Sequence, residues 1–65
     1  MIRYVHSVVS TRLWASSDPA DNTITVFISS ADCLIDLMIE KHDLRFVFTS
    51  CGNFGWIGKK VLKEI

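Results

Sequence analysis

Nearly half of the side chains in this chain are apolar, and the chain is too short to enclose them easily. Its 65 residues are 49% hydrophobic, whereas a chain of about 60 residues buries only roughly 60% of the surface that its unfolded form exposes. So much apolar material in so small a volume favours an exposed contact surface over an unusually rich core. We therefore expect a single domain over residues 1–65 that associates with itself or with a protein partner.

The charge balance and the cysteine content exclude several classes of protein. Seven basic and seven acidic residues give a net charge of zero, so the chain is neither a strongly basic nucleic-acid binder nor an acidic mimic of DNA. The apolar content excludes a disordered tail, and two cysteines are too few for a disulfide-stapled miniprotein. Acidic residues interrupt the most hydrophobic segment, and the first residues lack the pattern of a secretory signal. We expect a cytoplasmic protein that does not enter a membrane.

The first third of the chain predicts a hairpin with a long connection. Residues 2–13 and 23–29 are rich in Val, Ile, Thr and Ser, which favours strands. Between them, residues 14–22 contain proline, aspartate, asparagine and serine, which favour local turns.

The segment 56–65 also alternates as a strand would, although part of it fits a short helical face. We favour the strand, because a helix this short is marginal without strong packing.

The most regular strand pattern lies in the middle of the chain. Residues 44–50 alternate between apolar and polar side chains, with Leu44, Phe46 and Phe48 in one phase. Alternation with a period of two is typical of a strand with one buried face. We therefore predict that these three side chains face the core.

Residues 31–42 predict a helix. Ser29 and Asp32 have the spacing of a capping box. Around such a helix the acidic side chains fall within about 80° of one another; they are Asp32, Asp36, Glu40 and Asp43. The remaining circumference is apolar and about twice as wide as a helix on a sheet needs. The expected fold is α+β, in the order β-β-α-β-β, with one mainly antiparallel twisted sheet and one helix packed on one face.

Residues capable of catalysis or metal binding are scattered along the chain. Cys33, Cys51, His6 and His42 lack the paired, closely spaced ligands of zinc sites. We interpret both cysteines as small buried hydrophobic residues. A thiol-dependent reaction stays open as a weaker alternative, because Cys33 falls in the first turn of the predicted helix, whose dipole favours a thiolate. We expect no enzymatic activity, no bound metal and no cofactor.

An aromatic segment near the C-terminus is the most suggestive of binding. Phe54 and Trp56 could stack on bases while Lys59 and Lys60 neutralise phosphates. The fragment 54–57 is similar to the RNA-stacking strand of cold-shock domains. This resemblance covers four residues, and the sequence lacks a second aromatic strand motif of that kind. It implies binding of single-stranded nucleic acid, which we keep as the alternative function.

The preferred hypothesis is a small non-enzymatic interaction module. We expect a homodimeric regulator or inhibitor that acts by occupying a partner's surface, as do small proteins encoded by phages and mobile elements. The expected partner-binding residues are Trp14, Phe54, Trp56, Asp36 and Glu40. The expected nucleic-acid contacts, under the alternative function, are Phe54, Trp56, Lys59 and Lys60.

Overall fold

A computed structural model describes residues 2–65 of the chain as one antiparallel sheet. Its strands are β1 (Arg3–Ser7), β2 (Thr11–Trp14), β3 (Ile24–Ile28), β4 (Leu34–Lys41), β5 (Leu44–Thr49), β6 (Phe54–Gly58) and β7 (Leu62–Glu64). A short 3-10 helix, η1 (Lys59–Val61), connects β6 to β7. The seven strands are arranged in the order β3-β2-β6-β5-β4-β1-β7. No helix in the described part of the chain is long and apolar enough to cross a membrane.

The predicted α+β fold with a packed helix is wrong. The segment 31–42 contains strand β4 instead of a helix, so the order β-β-α-β-β does not occur. A spacing of four residues caused the error, because it places Asp36 and Glu40 on one side of a helix but, being even, on one side of a strand as well. The β-branched side chains of Ile35 and Ile39 add to the preference for a strand.

A tight turn joins β4 to β5 and makes them neighbours. His42 and Asp43 have positive φ angles of 51° and 62°, and Lys41 lies opposite Leu44. Two consecutive residues with positive φ are the signature of a type I′ hairpin turn, whose twist matches that of the flanking strands. Histidine and aspartate are among the residues that tolerate this conformation without being glycine.

The two ends of the chain are each divided into two strands. Residues 8–10 interrupt the predicted long strand, and the Ser7 hydroxyl donates a hydrogen bond to the Val9 carbonyl at 2.6 Å within this turn. The interruption sends β1 to β4 and β7, whereas β2 pairs with β3 and β6. The pair of β2 and β3 is the hairpin with a long connection that the sequence predicts. At the other end, η1 separates β6 from β7.

The core lies on one face of the sheet, which curls around it. Its buried residues are Val5, Leu13, Ile28, Leu34, Val47 and Ile57. On β5 the core thus receives Val47, and the prediction that Leu44, Phe46 and Phe48 face inward is wrong. The β2 strand comes so close to β6 that a Cβ on Gly55 would stand 2.8 Å from the Leu13 Cβ and 2.9 Å from the Trp14 carbonyl oxygen. Glycine at position 55 therefore permits this close packing.

Candidate functional site

The face of the sheet opposite the core carries two rows of apolar side chains that cross several strands. The first row contains Tyr4, Ile35, Phe48 and Phe54, which lie opposite one another on β1, β4, β5 and β6. The second row contains Phe46, Trp56 and Trp14, on β5, β6 and β2. Residues directly opposite each other on neighbouring strands point to the same side of a sheet. We call the residues of these two rows the aromatic face.

Four rings of the aromatic face form a connected layer: those of Phe46, Phe48, Phe54 and Trp56. Phe48 and Phe54 stack with their centroids 5.7 Å apart and their planes 3° from parallel. Phe46 joins the two rows, with centroid distances of 5.6 Å to Phe54 and 5.0 Å to Trp56. Such offset and tilted pairs are favourable arrangements for aromatic rings. The aromatic face is nonetheless open to solvent, since Phe54 is 52% exposed and Tyr4 is 59% exposed.

A cationic rim borders the aromatic face beside Trp14. Arg12 lies opposite Phe27 on the neighbouring strand β3. Its guanidinium carbon is 5.5 Å from the centroid of the Trp14 ring and 6.0 Å from that of Phe27. These are the distances of cation–π contacts. Phe27 is 70% exposed, so a positive charge and a bare aromatic ring stand together at this end of the sheet.

A cavity of about 270 Å³ opens beside the aromatic face where the β2–β3 loop rises next to it. Trp14, Leu44 and His42 line it on one side, and loop residues that include Asp18 and Asp21 line it on the other. Hydrogen bonds from the Thr23 hydroxyl and backbone amide hold the pKa of Asp21 below its ordinary value. The cavity therefore combines apolar rings with acceptor oxygens.

A cluster of ionic side chains lies at the border of the core. The Asp36 carboxylate is fully buried and accepts hydrogen bonds from Arg3 Nε at 3.2 Å, from Arg45 Nη1 at 3.1 Å and from the Met38 amide at 2.8 Å. Met38 has a φ of 61° within an irregularity of β4 that lies between Asp36 and Glu40. The bulge orients the Met38 amide so that it donates to the Asp36 carboxylate. The distorted strand thus supplies a hydrogen bond that offsets the cost of burying this charge.

Exposed ion pairs extend this cluster to Lys59. Glu40 lies 3.3 Å from Arg45 Nη2, and it accepts a hydrogen bond from Lys59 Nζ at 3.0 Å. The hydrogen bond and the charge of Glu40 raise the pKa of Lys59 above its ordinary value. Asp43 lies 3.7 Å from the same ammonium group. Lys59 is therefore largely neutralised by carboxylates of its own chain.

The binding residues predicted from the sequence do not all lie together in the structure. Trp14, Phe54 and Trp56 lie together on the aromatic face, whereas Asp36 is buried and Glu40 is an exposed member of the ionic cluster. Lys60 is exposed on η1. Sequence reasoning missed four members of the aromatic face: Tyr4, Ile35, Phe46 and Phe48. For Phe46 and Phe48, the signal is the concentration of rings in one phase of residues 44–58, the phase that also contains Phe54 and Trp56.

The cysteines do not have the environment that the sequence suggested. Cys33 and Cys51 are both free and exposed, so their interpretation as buried hydrophobic residues is wrong. Cys33 precedes a strand, which removes the helix dipole on which a reactive thiolate depended. Among the residues that the structure describes, no three His, Cys, Asp or Glu side chains are grouped so that they could hold a metal ion.

Comparison with known proteins adds no further constraint. No protein-family model, no curated protein and no solved structure matches this chain. Its function therefore has to be inferred from the aromatic face, the cationic rim and the ionic cluster themselves.

Proposed function

We propose that this chain is a self-associating protein-interaction module, in which two copies pack their aromatic faces together. The dimer would act as a regulator or inhibitor, by covering the surface of a partner protein. The observation that supports this function is the aromatic face itself, which presents half-buried and exposed rings on one side of a sheet whose other side already holds the core.

The sheet curls around the core with one face, and within residues 2–65 no other element covers its opposite, aromatic face. A stable domain usually consists of at least two packed layers, because an apolar sheet face has to be buried against another element. Here every strand belongs to one sheet, and the helical part of residues 2–65 is the three-residue η1. A second sheet packed about 10 Å away would cover the aromatic face, as the facing sheets of β-sandwiches cover each other.

A second copy of the chain meets the requirements of such a layer. The two rows contain Tyr, Ile, Phe and Trp without any charged side chain, so two faces can meet without opposing like charges. A two-fold axis makes the contact self-complementary, because each copy presents the same patch to the other. A strongly charged ligand would find no such complement within the rows.

The width of the face is compatible with a dimer interface. The smallest stable interfaces take about 600 Å² from each partner, which is about a seventh of this chain's 4206 Å². The rows cross β1, β4, β5, β6 and β2, which are five of the seven strands. Five strands spaced about 4.8 Å apart span a width close to the 20 and 23 Å short dimensions of the molecule.

A location in the cytoplasm is part of the same proposal. Both cysteines have exposed free thiols, and such thiols persist in reducing compartments. In this compartment the dimer would bind its partner through surfaces outside the aromatic face, including the cationic rim and the free edges of the sheet.

Substitution of Phe54 by lysine tests the dimer. Phe54 is 52% exposed, so the isolated fold should tolerate the change. The two-fold axis buries two lysines for each substitution, and we expect the dissociation constant of the dimer to rise by at least about 100-fold. Sedimentation equilibrium across a micromolar dilution series measures this constant.

The matched control is Val9→Lys. Val9 is 48% exposed in the turn between β1 and β2 and lies outside the aromatic face, so the same chemical change should leave the dimer intact. The proposal is wrong if the unmodified protein sediments as a monomer throughout the series, or if both variants weaken the dimer equally.

Binding of single-stranded nucleic acid is the second candidate function. One observation favours it: Phe54 and Trp56 share a face with further rings, as in a base-stacking platform. Lys60 is exposed and Arg12 borders the face. The charge of Lys59 gives this function little support, because Glu40 and Asp43 largely neutralise it and leave less charge for a phosphate.

Fluorescence titration with a single-stranded oligonucleotide tests this second function. Stacking on Trp56 should quench the indole emission, and the affinity should fall steeply as salt is raised because phosphate contacts release counterions. The Trp56→Ala variant should lose about tenfold or more in affinity, with Ile65→Ala as a control outside the platform. Unchanged binding by Trp56→Ala would exclude the platform.

A further inference from the structure

Strand β3 presents a free and unprotected edge. It ends the sheet, because its one pairing partner is β2. Its residues Ile24–Ile28, with the sequence ITVFI, are all β-branched or aromatic and include no charge and no proline. Unpaired backbone N–H and C=O groups along such an edge can pair with another extended chain. The edge is therefore suited to receive one more strand.

Other free edges of the sheet carry the usual protection. At the opposite end, β7 has three residues, of which Lys63 and Glu64 are charged and exposed. The second half of β4, beyond its pairing with β1, contains the bulge at Met38 and the charged pair Glu40 and Lys41. Short length, charge and bulges all discourage the addition of a strand. Strand β3 lacks these features.

The cationic rim adds a charge preference to this edge. Arg12 lies opposite Phe27, and its guanidinium carbon is 6.0 Å from the centroid of the Phe27 ring on β3. Within residues 2–65 no carboxylate forms an ion pair with Arg12. A strand added beside β3 would place its own residue next to Phe27 on the same face. An acidic side chain at that position would meet the guanidinium.

From these observations we infer that β3 binds an extended segment of a partner protein by β-strand addition. The segment is β-branched and otherwise uncharged, with one acidic side chain that pairs with Arg12. Backbone hydrogen bonds supply the affinity, and the acidic side chain supplies part of the specificity. This inference rests on the proposed function in that it names the edge through which the chain binds its partner, but the site does not require the dimer, because it uses the edge of the sheet and not its aromatic face.

A flexible segment fits this edge better than a second copy of β3 does. Two five-residue strands paired edge to edge bury far less than the roughly 1,200 Å² of a stable interface between folded chains. Two copies would also bring two Arg12 side chains to the same joint, where they would repel. An acidic peptide instead complements the charge.

A set of three peptides tests the inference on the full chain. The reference probe is acetyl-Thr-Val-Glu-Val-Thr-amide, the second replaces Glu by Gln, and the third carries N-methyl groups on alternate amides. Titration followed by amide chemical shifts should map the reference peptide to residues 24–28. The Gln peptide should bind about two- to fivefold more weakly, and the N-methylated peptide about tenfold more weakly, because it cannot complete the ladder.

Two protein variants complete the test. Arg12→Gln should weaken the Glu peptide to the level of the Gln peptide and leave the Gln peptide unchanged. Lys63→Gln removes the same charge at the opposite edge and should change neither affinity. Equal binding of the N-methylated peptide, or shifts confined to the aromatic face, would overturn the inference. Sedimentation of the same samples reports the dimer separately, so failure of one proposal is distinguishable from failure of the other.

Discussion

Replacing Asp36 by alanine is expected to lower the free energy of unfolding by about 3–5 kcal/mol. The Asp36 carboxylate is fully buried and accepts from Arg3, Arg45 and the Met38 amide. Its removal would leave two partly buried guanidinium groups and a backbone donor without their common acceptor. A chain of this size is stable by only about 3–10 kcal/mol, so the substitution should remove a large part of the total stability.

Urea unfolding followed by circular dichroism, at one fixed protein concentration, measures this effect. Asp36→Asn keeps an acceptor oxygen for the Met38 amide and should lose less stability than Asp36→Ala. The matched control is Glu64→Gln, because Glu64 also accepts from Arg3, at 2.6 Å, but is exposed. An exposed ion pair contributes at most about 1 kcal/mol. Equal urea midpoints for Asp36→Ala and Glu64→Gln would show that the buried cluster does not stabilise the fold.

Replacing Gly55 by alanine is expected to destabilise the chain by about 1–3 kcal/mol. The new Cβ would stand 2.8 Å from the Leu13 Cβ and 2.9 Å from the Trp14 carbonyl oxygen. Both atoms are close to or part of the β2 backbone, so relief requires β2 to move away from β6. This movement would also separate Trp14 from Trp56, which lie opposite each other on the aromatic face.

The neighbouring glycine on the same strand provides the control. A Cβ on Gly58 would meet no atom within 4 Å, and alanine there should leave the stability unchanged or raise it slightly. Thermal unfolding of both variants, with tryptophan fluorescence as a local probe of Trp14 and Trp56, distinguishes them. Equal melting temperatures for Gly55→Ala and Gly58→Ala would contradict the close packing of β2 on β6.

Some of the strands could be predicted from the sequence, because their residue pattern is typical of a strand and of no other element. Alternation over residues 44–50 identified β5, and β-branched composition over residues 23–29 identified β3. The direction in which β5 faces could not be predicted from alternation alone. Leu44, Phe46 and Phe48 form the more apolar phase, but the other phase carries Arg45, which pairs with the buried Asp36. Val47 therefore packs in the core, and the rings lie on the outer face.

The helix was predicted wrongly because local patterns do not record long-range pairing. Acidic residues four apart satisfy the period of a helix and of a strand alike. The deciding features were the His42–Asp43 turn, which has no glycine to mark it, and the pairing of β4 with both β1 and β5. Tertiary context overrides a weak intrinsic preference in such cases. The burial of Asp36 depends on Arg3, which is far away in sequence.

The candidate site was predicted in part. An excess of apolar residues indicates a contact surface, and the sequence predicts Trp14, Phe54 and Trp56 as part of it. Their assembly with Tyr4, Phe46 and Phe48 depends on strand order, which the sequence pattern does not encode. Whether this surface is the interface between two copies stays a prediction.

Intermolecular distances in a mixed dimer would show whether two copies pack their aromatic faces together. Equal amounts of ¹³C-labelled and unlabelled protein would be combined, and isotope-filtered NOE spectra recorded at millimolar concentration. We predict NOEs between copies that join the rings of Phe48, Phe54 and Trp56, since these rings form the middle of the aromatic face. The absence of NOEs between copies, or NOEs that instead arise from β3 or β7, would contradict the account.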